Sequence, residues 1–446
     1  RFNGTWTADP AWDGAVATSA TGEMLVFESS DSTYQFDLDT MITSATFAAP
    51  TCPSPCTVTR TGATTLNDGA LVIAGLMSVD DDTYTLDTSG GFASANPSGG
   101  DQVRNGAGTD QSMATAYKVI PSAGASGNIT WTQGGVAPDA GISFIVSFYL
   151  VPPLSTSAPT ADALIDFETS TDGTVITTTI LGNGTHPASP GGTWANNGGT
   201  PNNTLIKTTS QQSFDSTHKV IVGGVTYDDA SATRGAEYDH TQGAETPAFD
   251  FNFTSAHAKV SMGFMYKTTF ALEGLDSYSS MALFADGTGA FAVWNIVSQF
   301  PDQHVARLEA NSNTPQVPHF DNSHTYWINI LMDTTNGVAK IAMFDPSNSW
   351  KQYGFTVFAP VSAADAIDRL EIFCTGGAFI AHTGVSSYDN VTLDWTNATF
   401  PFRPGGDAAP GGGGDLISNF KIRGGGLSAI APLKIRGAGA VGIRIR

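Results

Sequence analysis

The chain has little charge, and positive charge least of all. Asp, Glu, Lys and Arg make up 14% of its 446 residues, where about a quarter is usual. Lys+Arg number 20 against 41 Asp+Glu, for a formal net charge of -21. Neutralising phosphates takes clustered Lys and Arg, so nucleic acid is excluded as a partner of the acidic body. Cysteine is nearly absent as well. Cys52, Cys56 and Cys374 make no disulfide framework for a chain of this size. Cys52 and Cys56 sit in CPSPC, where two prolines restrict a bridge, and unpaired structural thiols are the favoured reading. Neither a CxxC pair nor a Cys/His cluster suggests zinc. No run approaches the ~20 apolar residues of a membrane-spanning helix. G-x-S-x-G, H-E-x-x-H and a Gly-rich phosphate loop ahead of a helix are all missing. These absences exclude the serine-hydrolase, zinc-protease and P-loop classes.

What is present favours strands and turns. Thr and Gly are abundant, Val, Ile and Phe recur in short runs, 41% of residues are hydrophobic, and mean hydropathy is -0.05. The first block, 1–151, carries short alternating runs: MLVFES (24–29), TYQFDLD (33–39), ALVIAGLMSV (70–79), TYTLD (83–87), ATAYKVI (114–120), NITWTQ (128–133) and ISFIVSFYLV (142–151). Turn formers separate them, which predicts an antiparallel sandwich. ISFIVSFYLV is apolar on both faces and belongs inside its sheet. PPLSTSAPTA (152–161) is a linker. The second block, 162–403, continues with strands at 163–168, 259–268, 279–286, 290–297, 324–333, 338–345, 368–376 and 385–395. DTTNG (333–337) predicts a hairpin between two of them. One short helix is expected over SAADAIDRL (362–370). The fold class is therefore all-β: two antiparallel sandwich or jelly-roll domains joined by a Pro/Ser linker.

A Gly-rich linker (404–415) leads to a tail, 416–446, unlike the rest of the chain. Lys421, Arg423, Lys434, Arg436, Arg444 and Arg446 are six of the 20 Lys+Arg, and no acid follows Asp415. A weak repeat alternates apolar and basic residues: Phe420-Lys421-Ile422-Arg423, Leu433-Lys434-Ile435-Arg436, then Ile443-Arg444-Ile445-Arg446. This is strand periodicity, in strips too short to bury one another. The expectation is docking on the sheet edge of a partner or of sister chains, in a homo-oligomer.

The stretches NDGALVIAGLMSVDDDTYTLD (67–87), MATAYKVIPSAGASGNITWT (113–132) and GISFIVSFYL (141–150) resemble a sandwich domain found repeatedly in bacteriophage virion proteins and their prophage relatives. The likeness covers about a third of the chain. The YWINILMDTTNGVAKIAMFD hairpin and the SYDNVTLDW strand of the second block are similar to laminin-G/concanavalin-like jelly rolls. That resemblance implies carbohydrate or protein binding more than catalysis.

Candidate chemistry is sparse. Glycoside hydrolysis needs two carboxyls about 5–10 Å apart across a sugar. The nearest stretch, EYDHTQGAE with Glu237, Asp239 and Glu245, lacks an acid three positions after Asp239 and reads as a solvated loop. Acidic loops at DDDT (80–83), DFETSTDG (166–173), FDPSN (344–348) and YDN (388–390) suit a hard cation. The jelly-roll resemblance implies a structural calcium held by Asp166, Glu168 and Asp389. Trp194 in GGTWANNGG, and Trp350 with Tyr353 in PSNSWKQYG, sit among turn formers and are candidate sugar platforms.

Together these readings predict a non-enzymatic surface protein of a bacteriophage particle: a head spike or fibre, a decoration subunit or a tail-associated component. It is expected at the virion surface or outside the cell. Its partners would be other virion proteins, sister chains and host glycans, with neither nucleic acid nor membrane and no required cofactor. The alternative is a secreted carbohydrate-binding protein or polysaccharide depolymerase. A bacterial adhesin is a third class.

Overall fold

A computed structural model describes residues 26–29, 35–47, 55–79, 82–94, 103–105, 111–134, 139–151, 154, 157–168, 171, 173–174, 176–177, 185–187, 191–196, 207–209, 219–228 and 235–239. Further along it describes 248–268, 279–285, 290–300, 303–309, 316–317, 324–346, 350–362, 366–375, 385–404, 420–423 and 443–445. The chain is all-β. A short 3-10 turn spans Thr88–Gly90. Two compact units divide it: residues 1–153 with 412–446, and residues 154–411.

In the first unit a large sheet runs in the order Gln35–Phe47, Gly141–Val151, Ala70–Val79, Gln111–Ile120, Ala93–Ser94. A smaller one runs Cys56–Arg60, Ile129–Gly134, Thr83–Leu86. Alternation sends Val58, Tyr84, Leu86 and Trp131 from the small sheet against Val72 and Leu76 of the large one. The large sheet is apolar on its other side too, where Leu71, Ile73, Tyr117, Val146 and Leu150 cluster. That explains the unbroken apolar run of ALVIAGLMSV. Gly141–Val151 is paired on both sides. Asp39, 1% exposed, holds the turn ahead of Ala70–Val79. Its carboxylate accepts from the backbone N–H of Leu66 at 3.0 Å and of Asn67 at 2.9 Å, and from the Ser147 hydroxyl at 2.9 Å. Cys56 is disulfide-bonded, correcting the expectation of unpaired thiols. Cys52 lies outside the described residues.

The second unit packs two larger sheets over one core. One runs Thr185–His186, Ala163–Ile165, Val385–Asp394, Lys259–Thr268, Thr325–Asp333, Val338–Asp345, Lys351–Gln352. The other, of seven strands, runs Gly192–Asn196, Ala248–His257, Ile367–Thr375, Ser279–Ala285, Ala290–Phe300, Gln303–Glu309, Gln316–Val317. Tyr266, Tyr326 and Tyr388 from the first meet Phe251, Leu370 and Ile372 from the second. The helix expected over 362–370 is overturned at its end, where Ile367–Thr375 is a strand between two others, while 363–365 lie outside the described residues. Leu370 and Ile372 alternate into the core, and that burial outweighs the helix preference of the alanines before them.

The 333–337 hairpin forms as the sequence predicts. Asp333, 3% exposed, accepts from the Asn336 backbone N–H at 3.0 Å and side-chain amide at 2.7 Å, and pairs with Lys259 at 3.3 Å. Gly337, at φ 65, takes the left-handed position that closes the turn. Burial pushes the Asp333 carboxyl up, but the Asn336 hydrogen bonds and the Lys259 charge outweigh it, and its pKa is lowered. A lowered carboxyl contributes stability above its unfolded pKa and loses it as pH falls through the folded one. Asp333→Ala is therefore expected to cost about 1–3 kcal/mol at neutral pH. The gap to wild type should close in acid, as read from urea unfolding across pH. A gap independent of pH would contradict this.

Candidate functional site

The polar arrangement that departs most from a plain sandwich lies on the seven-stranded sheet. Ala248–His257 and Ile367–Thr375 run antiparallel with Asp250 opposite Glu371 and Asn252 opposite Arg369. Phe251, Phe253, Leu370 and Ile372 take the core face. Alternation therefore sends Asp250, Asn252, Arg369 and Glu371 to the other face. The Arg369 guanidinium lies 3.9 Å from Asp250 Oδ2 and 3.7 Å from Glu371 Oε2, an ion cluster without close hydrogen bonds. Side-chain exposure grades across it: 0% for Asp250, 19% for Glu371 and 32% for Arg369. Burial raises the Glu371 pKa, and the Arg369 charge opposes that only in part.

None of these four residues was singled out from the sequence. The signal was there in AFDFNF (248–253), where aromatic and polar residues alternate strictly. The aromatic candidates fare differently. Trp194, 5% exposed, lies in the strand Gly192–Asn196 and packs edge-on against Phe251 at 5.1 Å. Trp350, 6% exposed, takes φ 57, which turns its ring onto Trp327 and beneath the Arg403 guanidinium at 5.3 Å. Tyr353 packs against the core, edge-on to Tyr326 at 5.3 Å. The expectation of exposed platforms is corrected: apolar neighbours distant in sequence bury Trp194 and Trp350. Trp395, half-buried and stacked on Phe251 at 5.8 Å, lies at the core margin instead.

The expected calcium ligands do not converge. Ala163–Ile165 and Val385–Asp394 are neighbours, with Ile165 opposite Val391. Asp166 turns one oxygen to His186 Nε2 at 3.1 Å and another to the Glu168 backbone N–H at 3.3 Å. Asp389, fully buried, accepts the Asn390 N–H at 2.7 Å. Among the described residues no three His, Cys, Asp or Glu side chains form a metal-holding group. Asp166, Glu168 and Asp389 thus do not fit a shared ion.

In the tail, Phe420–Arg423 pairs antiparallel with Val26–Ser29 of the same chain, with Lys421 opposite Glu28. Ile443–Ile445 runs parallel beside Phe420–Arg423, with Phe420 opposite Ile443 and Lys421 opposite Arg444. Two of the strips thus add to a strand of their own chain. Leu433, Lys434, Ile435, Arg436 and Arg446 lie outside the described residues.

No family model matches the chain, and neither does any curated protein. Among solved structures, a sialidase is 12% identical with a TM-score of 0.33, over 58% of this chain and 20% of its own length. A CBM2 module from the evolved Dit of Lactobacillus casei BL23 phage J-1 is 12% identical with a TM-score of 0.29, over 53% of this chain and 96% of the module. Lectin II from Ulex europaeus is 10% identical with a TM-score of 0.26, over 36% of this chain and 90% of the lectin.

A raised carboxyl contributes stability below its unfolded pKa and loses it as pH rises through the folded one. Glu371→Gln is accordingly expected to melt above wild type at neutral pH and to converge with it in acid. A variant that melts lower at neutral pH would contradict the desolvated Glu371.

Proposed function

We propose that the chain is a non-enzymatic surface protein of a bacteriophage particle, and that its second unit binds carbohydrate through the face carrying Arg369. The supporting observation is the ion pairing of Arg369 with Asp250 and Glu371, at 3.9 and 3.7 Å, on the side of the sheet turned from the core. A guanidinium there offers a planar fork of donors. Glu371 and Asn252 add half-buried acceptors and donors beside it. Two carboxylates around one guanidinium leave this patch negative, which favours neutral sugars over carboxylated or sulfated ones. The acid pair does not favour hydrolysis. Asp250 has no exposed surface, and a catalytic carboxylate must reach its substrate.

Arg369→Ala is expected to lose neutral-glycan binding at least about tenfold, or ~1.4 kcal/mol, with a wild-type fold by circular dichroism. Titration with the best array ligand checks this. Unchanged affinity would contradict the site, and release of reducing ends by wild type would favour a depolymerase.

The particle setting rests on the resemblance of the first block and on the basic strips. Deleting 416–446 removes the strand partner of Val26–Ser29. The truncated chain is expected to keep glycan binding and to lose association with sister chains or particle proteins, measured by sedimentation and incorporation. Incorporation at the wild-type level would contradict an assembly role for the tail.

A further inference from the structure

One end of the first unit holds a polar cluster that the Arg369 face does not use. Asp82 precedes the strand Thr83–Leu86, Gln133 lies near the end of Ile129–Gly134, and Asp139 precedes Gly141–Val151. The first two strands belong to the small sheet and the third to the large one. Gln133 has no exposed surface and Asp82 is 4% exposed. The Gln133 amide donates to Asp82 Oδ2 and, at 3.3 Å, to the Asp139 carbonyl. Its own oxygen, Oε1, is buried without a hydrogen-bond partner among the described residues.

Turning the amide over does not repair this. Oε1 would then face the Asp82 carboxylate, acceptor against acceptor, and the N–H groups would take the place that offers no partner. A cation there would let Oε1 and the carboxylates point at one centre.

We propose that Asp82, Gln133 and Asp139 form a calcium site that ties the small sheet to the large one at this end of the first unit. The donors are all oxygens, with neither thiol nor imidazole, which suits a hard cation rather than zinc. Two carboxylates balance its charge, and the Gln133 and Asp139 carbonyls add neutral ligands. Water completes the six to eight oxygens about usual for calcium. The acidic DDDT stretch (80–83) thus finds a use, although Asp80 and Asp81 lie outside the described residues.

The test is melting of the full chain in calcium and in EDTA, with terbium luminescence excited through the aromatic rings. Calcium about a hundredfold above its Kd is expected to raise the first transition by roughly 5–10 °C. Terbium emission should appear and be displaced by calcium. Asp139→Asn, at a half-buried position, is expected to fold and to lose most of both signals. Gln133→Glu, which adds a carboxylate, is expected to keep or strengthen them. Equal melting of wild type in calcium and EDTA, without terbium emission, would overturn the proposal. So would a full shift retained by Asp82→Asn and Asp139→Asn together. If that double variant does not fold, the terbium emission of Asp139→Asn decides.

Discussion

The second unit turns on one register, in which Asp250 stands opposite Glu371 and Asn252 opposite Arg369. Strand side chains alternate with a period of two, so a slip by one residue would exchange the faces. Phe251 would leave the core and Asp250 would enter it. Phe251 resists this through edge-on contacts with Trp194 at 5.1 Å and Phe253 at 4.8 Å, and through stacking on Trp395. Gly192 is part of the same lock. A Cβ there would lie 2.4 Å from Phe251 Cζ, so only glycine admits the ring. Gly192 thus serves packing rather than a loop, and one register places both the core and the ion cluster.

Scarcity of positive charge has a structural counterpart. Several of the few cations hold backbone or buried acids in place. Lys118 Nζ donates to the Gly90 and Ser126 carbonyls at 2.9 and 2.8 Å. Lys259 closes the Asp333 turn. Arg403, 2% exposed, covers Trp350. Arg369 differs in keeping a third of its surface near solvent while two acids hold it, and that combination sets it apart as a recognition group.

Local patterns in the sequence carried the all-β class, the strand runs of the first block and the 333–337 turn. What they could not carry was pairing between distant segments. Asp250 and Glu371 meet only because two strands far apart in the chain lie side by side, and nothing near either residue announces the other. Trp194 and Trp350 misled for the same reason: their glycine, serine and asparagine neighbours suggested loops, while the groups that bury them come from elsewhere. SAADAIDRL (362–370) suggested a helix, and pairing of Ile367–Thr375 on both sides makes its end a strand. Gln133 likewise reaches Asp82 and the Asp139 carbonyl only in the folded unit.

The measurement that bears most directly on the glycan-binding face is a crystal structure of the full chain soaked with a neutral oligosaccharide. The sugar is expected over the seven-stranded sheet, with hydroxyls within hydrogen-bond distance of the Arg369 guanidinium and the Glu371 carboxylate. A sugar seated elsewhere, with Arg369 untouched, would contradict the account.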